Sequence, residues 1–377
     1  MRIPFNKASL TGREIDYLLE SVAGGHISGD GPFTRRCQEL LESLLGAPRV
    51  FLTTSCSDAL ELSALLLDVQ PGDEVIVPSF TFVSTANAFA LRGAKIVFCD
   101  IRPDTLNLDE SALEGLITPK TRVVVPVHYA GVGCSMDRIM ELSARHGFAV
   151  VEDNAHGMLA RYQERLLGSY GQLSTLSFHE TKNLTCGEGG AIVINDAQLV
   201  ERAEIHREKG TNRARFFRGQ VDKYTWVDLG SSFLPSDMLA AFLLAQIERV
   251  EMIQSTRQRI WETYDRALGD WAASVGAIQP HVPASCEQSF HMYYLLLPSQ
   301  TFRANLIEHL KRRGVYSVFH YVPLHTSPMG ERFGGRAGDC PVTEDISDRL
   351  LRLPFYNSLS DIEQSYVVQS ILQFEAT

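Results

Sequence analysis

Residues 173–195 read LSTLSFHETKNLTCGEGGAIVIN, and they set our prediction of the fold. An apolar run over residues 173–178 stops at a polar turn that carries Lys182. A glycine-rich segment then leads into a second apolar run over residues 191–195. Runs of this length, separated by polar residues and glycine, predict a strand, a turn and a second strand. Lys182 therefore lies in a predicted turn between two buried strands.

Outside this stretch, short apolar strands alternate with helical patterns. The predicted strands are residues 49–52, 74–77, 94–98, 122–127 and 149–152, and the predicted helices include 59–67, 109–116 and 136–146. This alternation predicts an α/β domain with a mainly parallel sheet. Ligands of such sheets gather at the carboxyl ends of the strands, where this sequence places Asp100, His128 and Asp153.

The second half of the chain has longer helical patterns. A charged helix is predicted over residues 197–209, and a polar loop follows over residues 210–232. The later elements that we predict are one long connecting helix at 237–264, a helix at 303–313, a strand at 315–321 and a final helix at 361–374.

Composition and charge narrow the classes of protein and ligand. The 377 residues are 45% apolar and 21% charged, which is typical of a globular protein, and the net charge of −10 speaks against binding nucleic acid or an anionic membrane. The seven cysteines are widely spaced, which argues against a disulfide framework or a zinc site and favours a reducing compartment. Without a signal-peptide core or a membrane-spanning apolar run, we expect a cytoplasmic protein.

Lys182 is the first candidate for chemistry. A lysine at a buried turn, flanked by small and hydroxyl residues, can lose enough hydration to stay partly neutral and attack a carbonyl group. Enzymes that use pyridoxal 5′-phosphate (PLP) hold their cofactor in this way, as a Schiff base to lysine. Most lysines are instead solvated surface charges, so the prediction depends on the residues around Lys182.

Three further features fit a PLP site, although each has a simpler structural explanation. Residues 53–58 form a hydroxyl-rich turn that could bind phosphate at a helix N-terminus or merely cap that helix. Asp153, at a strand end, could accept a hydrogen bond from a pyridinium nitrogen or form a turn. Phe82 or Phe80 could stack on the ring and His156 could reach its hydroxyl group, or all three could be core residues.

The loop over residues 210–232 interleaves basic and aromatic side chains. Arg213, Arg218, Lys223 and Tyr224 suit the binding of phosphates and stacking on a base, and a solvated loop face is the alternative. The sequence has no GxGxxG, Walker lysine loop or HExxH motif, so neither another cofactor nor a metal is predicted.

Five segments together resemble the DegT/DnrJ/EryC1/StrS family of PLP-dependent sugar-nucleotide aminotransferases. They are SFHETKNLTCGEGG at 177–190, PSFTFVSTANA at 78–88, PVHYAG at 126–131, EDNAHG at 152–157 and HYVPLH at 320–325. The resemblance covers essentially the whole chain and implies the type I aminotransferase fold. This fold has a large domain with a mainly parallel seven-stranded sheet, expected at 1–245, and a smaller α+β domain, expected at 246–377. A homodimer with active sites at the interface is implied as well.

The resemblance also implies roles for residues around the cofactor. Lys182 would carry PLP and move protons during the reaction, Asp153 would pair with the pyridine nitrogen, and Phe82 would stack on the ring. The residues implied to bind the cofactor phosphate are Cys56, Ser57 and Ser177.

The chain departs from the family pattern at two positions. Many members have Gln where this chain has His156, which is expected near the ring hydroxyl. Many also have an Asn, lent to the phosphate by the partner subunit, at the position of Ser232, so that Ser231 or Ser232 is left to supply a hydroxyl instead.

The implied reaction moves an amino group from L-glutamate, through pyridoxamine 5′-phosphate, to a keto sugar. Residues 208–226 are closest to the branch of enterobacterial common antigen synthesis that converts dTDP-4-keto-6-deoxy-D-glucose to dTDP-4-amino-4,6-dideoxy-D-galactose. On this hypothesis the cations of the 210–232 loop engage the diphosphate and Tyr224 the base. The residues expected near the sugar or diphosphate are His320, Tyr321 and His325.

Other reactions stay open at this point. Amination at C3, amination on the opposite face of C4 and a UDP-linked keto sugar differ only in how the substrate sits. Relatives that dehydrate keto sugars resemble this chain but have His at the lysine position, so Lys182 argues against that chemistry. A PLP-binding regulatory protein without turnover is the alternative from another class.

Overall fold

The computed structural model describes residues 1–375. Its α-helices are α1 (Glu14–Ala23), α2 (Pro32–Leu45), α3 (Cys56–Leu66), α4 (Val83–Ala90), α5 (Glu110–Leu116), α6 (Met136–His146), α7 (Val200–Arg207), α8 (Arg213–Phe217), α9 (Asp237–Ile247), α10 (Val250–Val275), α11 (Gln300–Arg312), α12 (Pro328–Arg332), α13 (Pro341–Arg349) and α14 (Asp361–Leu372). Its strands are β1 (Arg49–Thr53), β2 (Glu74–Pro78), β3 (Lys95–Cys99), β4 (Thr121–Val124), β5 (Ala149–Asp153), β6 (Arg161–Tyr162), β7 (Arg165–Leu166), β8 (Leu173–Ser177), β9 (Gly190–Ile194), β10 (Cys286–Glu287), β11 (Tyr294–Leu296) and β12 (Leu350–Arg352).

Seven strands form a central sheet in the order β1-β9-β8-β5-β4-β2-β3. Strand β9 is antiparallel to both of its neighbours, and the other neighbouring pairs are parallel. The predicted mainly parallel seven-stranded sheet is therefore confirmed. Because six strands point the same way, their carboxyl ends lie along one edge, which is where ligands bind in open α/β sheets.

Apolar side chains on the two faces of the sheet enter different cores. Successive strand residues point to opposite faces, and so Val77 packs against Leu62 and Phe89 while Ile76 packs with Ile139 and Val150. The strands are thus covered by helices on both sides, as the near-continuous apolar runs in the sequence require.

The C-terminal part of the chain has a core of its own. It contains side chains from α10, α11 and α14 together with Ile3, which is fully buried there. The backbone of Ile3 accepts a hydrogen bond from Tyr316 and donates one to Gly314, at 3.0 and 2.8 Å. The first residues therefore pack with the C-terminal core, whereas the expected division assigns the whole of 1–245 to the other domain.

The predicted single helix at 237–264 is wrong, because two helices, α9 and α10, meet at Glu248. Arg249 leaves the helical backbone at φ −117° and ψ 18°. The Glu248 carboxylate accepts a hydrogen bond from the Tyr17 hydroxyl at 2.7 Å and lies 3.3 Å from Arg36. The break carries no glycine or proline, and these partners come from the opposite end of the chain, so the local pattern does not reveal it.

The predicted strand at 315–321 is also wrong. Its backbone is extended, but Tyr316 donates to Ile3 and Val318 donates to Arg352, at 3.0 and 3.2 Å. Each partner segment makes only an isolated bridge, so no ladder forms. Two smaller differences lie earlier in the chain: the helix predicted at 197–209 ends at Arg207, and the 210–232 loop contains the short helix α8.

Candidate active site at the sheet edge

A cavity of about 730 Å³ opens at the carboxyl ends of the parallel strands. One wall comes from the segments that follow β1, β2, β5 and β8, and the other comes from residues 318–322 and β12. We call it the Lys182 cavity; its lining includes Ser57, Phe82, Asp153, Lys182, Tyr321 and Arg352.

Lys182 lies in the turn that joins the antiparallel strands β8 and β9, as the sequence predicts. Backbone bonds from Phe178 to Gly189 and from Glu180 to Gly187, at 2.8 and 2.9 Å, close this turn. The next residue, Asn183, is buried and donates to the Ser289 carbonyl at 2.8 Å. The turn is thus fixed on both sides of the lysine.

Burial lowers the pKa of Lys182 to about 8, and the neighbouring Arg352 contributes in the same direction. Cys56 and Asp153 act the other way and keep this pKa from falling further. A lysine with such a pKa is neutral in about one molecule in ten at pH 7, far more often than a solvated lysine. It is therefore able to attack a carbonyl group and to accept a proton.

Asp153 ends β5 and is 5% exposed. The Thr85 hydroxyl donates to its Oδ2 at 2.7 Å, and the backbone N–H of Ala155 donates to its Oδ1 at 3.2 Å. Thr85 in turn contacts the Thr81 hydroxyl at 2.9 Å. These bonds hold the carboxylate in one orientation at the cavity wall, where it can accept a hydrogen bond from a protonated ring nitrogen.

The first turn of α3 lies beside the cavity, and its N–H groups and hydroxyls are able to bind an anion. We call this turn, together with Ser177, the α3 anion seat. Ser55 caps the helix by accepting from the Asp58 N–H at 3.0 Å, so the structural explanation of this turn holds for Ser55. Cys56, Ser57 and Ser177 all line the cavity, and the Ser57 hydroxyl lies 2.6 Å from that of Ser84. Free backbone N–H groups and hydroxyls at a helix N-terminus suit a phosphate.

Glycine is required where β9 passes this seat. A Cβ placed on Gly190 would lie 2.3 Å from the Ser55 carbonyl carbon and 2.4 Å from the Cys56 nitrogen. The glycine-rich segment therefore lets the strand after Lys182 run directly against the helix N-terminus.

The two phenylalanines that the sequence offers for stacking on the ring lie in different environments. Phe82 lines the cavity and is 57% exposed, whereas Phe80 is 1% exposed and packs in the core beside Tyr129. Of the two, Phe82 is the one able to cover a ring in the cavity.

His156 also lines the cavity, with its ring stacked on that of His291 at 4.2 Å and 15°. Burial lowers the pKa of both histidines well below the ordinary value, so both are neutral. Among residues 1–375, no hydrogen-bond partner meets the buried Nδ1 of His156.

Among the three C-terminal candidates, two reach the cavity. His320 and Tyr321 line it, and the Tyr129 hydroxyl lies 2.9 Å from His320 Nδ1. His325 is fully buried elsewhere, between the Ser79 hydroxyl at 2.6 Å and the Glu344 carboxylate at 2.9 Å. Both of its ring nitrogens already have partners, so the expected place of His325 near the sugar does not agree with the structure.

The predicted loop residues lie outside the Lys182 cavity of their own chain. Arg213 pairs with Glu208 at 3.1 Å and Arg218 pairs with Glu204 at 2.9 Å. The other candidates of this region, Lys223, Tyr224 and Ser232, are exposed.

Two residues of the cavity are not predicted from the sequence. Thr85 lies in a helix and looks like an ordinary small core residue, yet it orients Asp153. Arg352 lies in the apolar run Leu350–Leu353, and a charged residue within such a buried strand is the signal that could have revealed it.

These features together fit PLP. Its phosphate matches the anion seat at α3, its aldehyde matches the partly neutral Lys182, its ring nitrogen matches Asp153, and its hydroxyl group matches the cavity-lining imidazole of His156. When bound, PLP supplies an electron-withdrawing ring that eases proton removal from the carbon carrying the amino group. The fold and this site define a PLP-dependent aminotransferase of fold type I.

The chain belongs to the DegT/DnrJ/EryC1/StrS aminotransferase family, whose model matches residues 8–372. It is 33% identical to GDP-perosamine synthase of Caulobacter vibrioides, over 99% of this chain and 98% of that protein. It is 32% identical to the spore coat polysaccharide biosynthesis protein SpsC of Bacillus subtilis, over 98% and 96%.

Solved structures agree with this assignment. The aminotransferase TlmJ from Streptoalloteichus hindustanus matches with a TM-score of 0.89 and 31% identity, over 98% of this chain and 97% of that one. The PLP form of Spr1654 from Streptococcus pneumoniae matches with a TM-score of 0.90 and 27% identity, over 98% of both chains. The family, the fold, the cofactor and the class of enzyme expected from the sequence are therefore confirmed, and the protein is a PLP-dependent sugar aminotransferase. Within residues 1–375, no helix combines the length and the apolar character needed to cross a membrane.

Proposed function

We propose that this enzyme transfers the amino group of L-glutamate to C4 of dTDP-4-keto-6-deoxy-D-glucose. The products are dTDP-4-amino-4,6-dideoxy-D-galactose and 2-oxoglutarate. The observation that carries the amino-transfer part is the partly buried Lys182, whose lowered pKa and position near Asp153 suit reversible attachment and proton transfer. The choice of sugar nucleotide rests on the resemblance of residues 208–226, and a relative named GDP-perosamine synthase supports a sugar-nucleotide substrate.

In this proposal Lys182 has two tasks. It holds the cofactor between reactions and, once displaced by the amine of glutamate, its free Nζ moves the proton that must leave Cα. Its burial supports the second task, because a lysine with a pKa of about 8 can both accept and return a proton near neutral pH.

Other cavity residues hold the cofactor. Asp153, oriented by Thr85, pairs with the ring nitrogen, and Phe82 covers one face of the ring. Neutral His156, which lines the cavity, donates or accepts at the ring hydroxyl. We assign the phosphate to the α3 anion seat, formed by Cys56, Ser57 and Ser177.

His320 and Tyr321, on the opposite wall, are placed to contact the sugar. We further propose a cytoplasmic homodimer in which the 210–232 loop of one subunit reaches the cavity of the other. Arg213, Arg218 and Lys223 would then meet the diphosphate and Tyr224 the base, and Ser231 or Ser232 would add a hydroxyl at the cofactor phosphate. The exposure of the loop supports this arrangement, because its aromatic side chains lack contacts that would bury them: Trp226 is 75% exposed and Tyr224 51%.

Two half-reactions followed by absorbance test the proposal. Excess L-glutamate should convert the yellow enzyme to its pyridoxamine form, which is then desalted and offered dTDP-4-keto-6-deoxy-D-glucose. We expect the yellow colour to return and NMR of the product to show the galacto configuration. The 3-keto isomer and a UDP-linked 4-keto sugar are the comparison substrates.

Each outcome has a definite meaning. Return of colour only with the 3-keto or the UDP-linked sugar would keep the class of enzyme and reject this substrate. A gluco product would reject the stereochemistry alone. Attachment of PLP without any half-reaction would favour a regulatory protein that lacks turnover.

A further inference from the structure

His291 is a buried histidine in the wall of the Lys182 cavity that the roles above leave unused. Its Nδ1 lies 2.8 Å from Oδ1 of Asn183. The amide nitrogen of Asn183 donates to the Ser289 carbonyl and to Gln254 Oε1, at 2.8 and 3.0 Å, which places the amide oxygen toward His291. Because an amide oxygen only accepts hydrogen bonds, the hydrogen between the two residues belongs to Nδ1 of His291.

The backbone around His291 has an unusual conformation. Phe290 has a φ of 52°, in the left-handed region that bulky residues rarely adopt. Neighbouring bonds enforce it: Arg257 donates to the carbonyls of Phe290, at 3.0 Å, and of His291, and the Ser289 N–H donates to the Gly131 carbonyl at 3.2 Å. Backbone strain of this kind persists only where the surroundings enforce it, and it is concentrated at functional sites. The strain indicates that the direction of the His291 side chain matters.

The bond to Asn183 acts on the turn that carries the catalytic lysine, because Asn183 directly follows Lys182. The side chain of Asn183 ties this turn to the C-terminal half of the chain: Gln254 belongs to α10, and Ser289 and His291 lie between β10 and β11. The amine of lysine is carried on a flexible stem of four carbons. A shift of the turn would therefore displace the amine from the atom with which it exchanges a proton.

His291 has a second contact, which offers an alternative role. Its ring stacks on that of His156, at 4.2 Å and 15°. His291 could thus serve Lys182 through Asn183 or the cofactor ring through His156. The hydrogen bond depends on one donor at one position, and its loss would leave the buried oxygen of Asn183 without a partner. Any flat ring would preserve the stack, so the hydrogen bond is the contact that requires histidine.

We propose that His291 is a positioning residue for amino transfer, whose hydrogen bond to Asn183 fixes the turn and aligns the Lys182 amine with Cα of the amino donor. This inference rests on the proposed function, because it concerns proton transfer at the same lysine. The proton moves from Cα to Nζ of Lys182 and is later returned, and His291 itself neither gains nor loses a proton.

Two substitutions at this position separate the hydrogen bond from the stack. His291→Phe keeps a flat ring over His156 but cannot donate to Asn183. His291→Asn keeps an N–H donor near the position of Nδ1 and loses the stack. The matched control is His281→Phe, which makes the same exchange at an exposed histidine outside the cavity. Circular dichroism and the PLP absorbance show whether each variant is folded and loaded.

Hydrogen exchange of the apoenzyme, followed by mass spectrometry, needs neither cofactor nor turnover. In His291→Phe the amides of residues 179–187 should exchange about tenfold faster than in the unmodified protein, because a buried bond that holds the turn is lost. His291→Asn should stay within about threefold of the unmodified protein, since it keeps the donor. Unchanged protection of the turn in His291→Phe would overturn the proposal.

The half-reaction with glutamate, followed in a single turnover, tests the consequence for Lys182. For His291→Phe we expect the rate at saturation to fall by about 10²-fold, since a misplacement of about 1 Å can cost this much. The glutamate concentration at half-saturation should change by less than about threefold, because His291 is assigned no contact with the donor. Glutamate deuterated at Cα should react more slowly than ordinary glutamate by at least the ratio seen with the unmodified enzyme.

Two results of this experiment would contradict the proposal. A smaller isotope ratio in His291→Phe would mean that a step other than proton transfer is slowed. A loss of rate in His291→Asn but not in His291→Phe would assign His291 to the stack on His156.

The variant Asn183→Ala removes the same hydrogen bond from the other side. If His291 acts through Asn183, adding His291→Phe to Asn183→Ala should cause little further loss of rate. A full additional loss would show that His291 acts by another route. Should His291→Phe fail to fold, Asn183→Ala is read by the same exchange and isotope measurements.

Failure of this inference is distinguishable from failure of the proposed function. If the unmodified enzyme does not react with glutamate, the proposed donor is wrong, and hydrogen exchange of the apoenzyme still tests whether His291 fixes the turn. If the unmodified enzyme reacts and His291→Phe reacts as fast as the His281→Phe control, the role of His291 alone is rejected.

Discussion

The Lys182 cavity encloses its cations, whereas the loop over residues 210–232 exposes them. In the cavity, burial lowers the pKa of Lys182 to about 8, and no carboxylate among residues 1–375 pairs with Arg352. In the loop, Arg213 and Arg218 already pair with Glu208 and Glu204, and their side chains are 43% and 44% exposed. The cavity thus changes the reactivity of the cation it holds, whereas a cation of the loop is able to leave its carboxylate partner and pair with another anion.

The comparison shows which of the two regions is formed by a single chain. The cavity walls come from strand ends and from a C-terminal segment of the same chain, so its geometry is complete apart from the ligands. The loop gains little by itself, because exposed ion pairs contribute only about 0–1 kcal/mol each. We therefore expect substitutions of Lys182 and Asp153 to act on the chemical step and substitutions in the loop to act on substrate binding.

The largest effect is expected from Lys182→Ala. Without its amine the protein should lose the absorbance of lysine-bound PLP, and turnover should fall by at least about 10³-fold, because both attachment and proton transfer are lost. The matched control is Lys120→Ala, which removes an exposed lysine outside the cavity. Turnover of Lys182→Ala near that of the control would contradict the assigned role.

Asp153→Asn should have the next largest effect. The substitution keeps the size of the side chain but removes the charge that stabilises a protonated ring nitrogen, so kcat should fall on the order of 10²-fold. Lys182 should remain able to attach PLP, and the yellow form should persist. Steady-state kinetics with both substrates measure kcat and KM. A change in KM alone, with kcat intact, would indicate that Asp153 only shapes the pocket.

Cofactor attachment should depend on pH as the Lys182 pKa dictates. The neutral amine is the nucleophile, and its fraction grows as pH rises toward about 8 and then levels off. The rate at which apoenzyme combines with PLP should therefore rise about tenfold per unit below that pH and reach a plateau above it. A rate that continues to rise to pH 10 would indicate a solvated lysine.

Arg218→Gln should give the smallest of the four effects and should act on binding. We expect the KM for the sugar nucleotide to rise about tenfold with kcat nearly unchanged, the size expected for one lost charged contact. Mixing this variant with Lys182→Ala subunits tests where the loop acts. If the loop serves the partner's cavity, mixed dimers should recover the low KM, whereas a loop that serves its own cavity would give no recovery.

Much of the sheet was accessible from local pattern, because its strands are short apolar runs bounded by polar turns. The turn that carries Lys182 is an example: both flanking strands form as predicted, and the structure pairs them from Leu173 opposite Ile194 to Ser177 opposite Gly190. Asp153, Phe82, His156 and the α3 anion seat also lie where strand ends meet, and the parallel topology brings them together.

The features that sequence did not reveal depend on contacts between distant segments. At the break between α9 and α10, Glu248 contacts Tyr17 and Arg36, and the segment at 315–321 divides its bonds between Ile3 and Arg352. The role of Thr85 appears only when α4 is packed beside β5. Likewise, histidine is common in active sites, so the sequence suggests His325. Only the structure shows that its ring is buried between Ser79 and Glu344, outside the cavity.

Reduction of the loaded enzyme with sodium borohydride tests the central claim most directly. The reagent converts a lysine–PLP linkage into a stable secondary amine, and peptide mass spectrometry then locates the modified lysine. The account predicts that the label lies on Lys182, within the turn between β8 and β9. A label on Lys209, Lys223 or another lysine, or a fully active enzyme with no label at all, would contradict it.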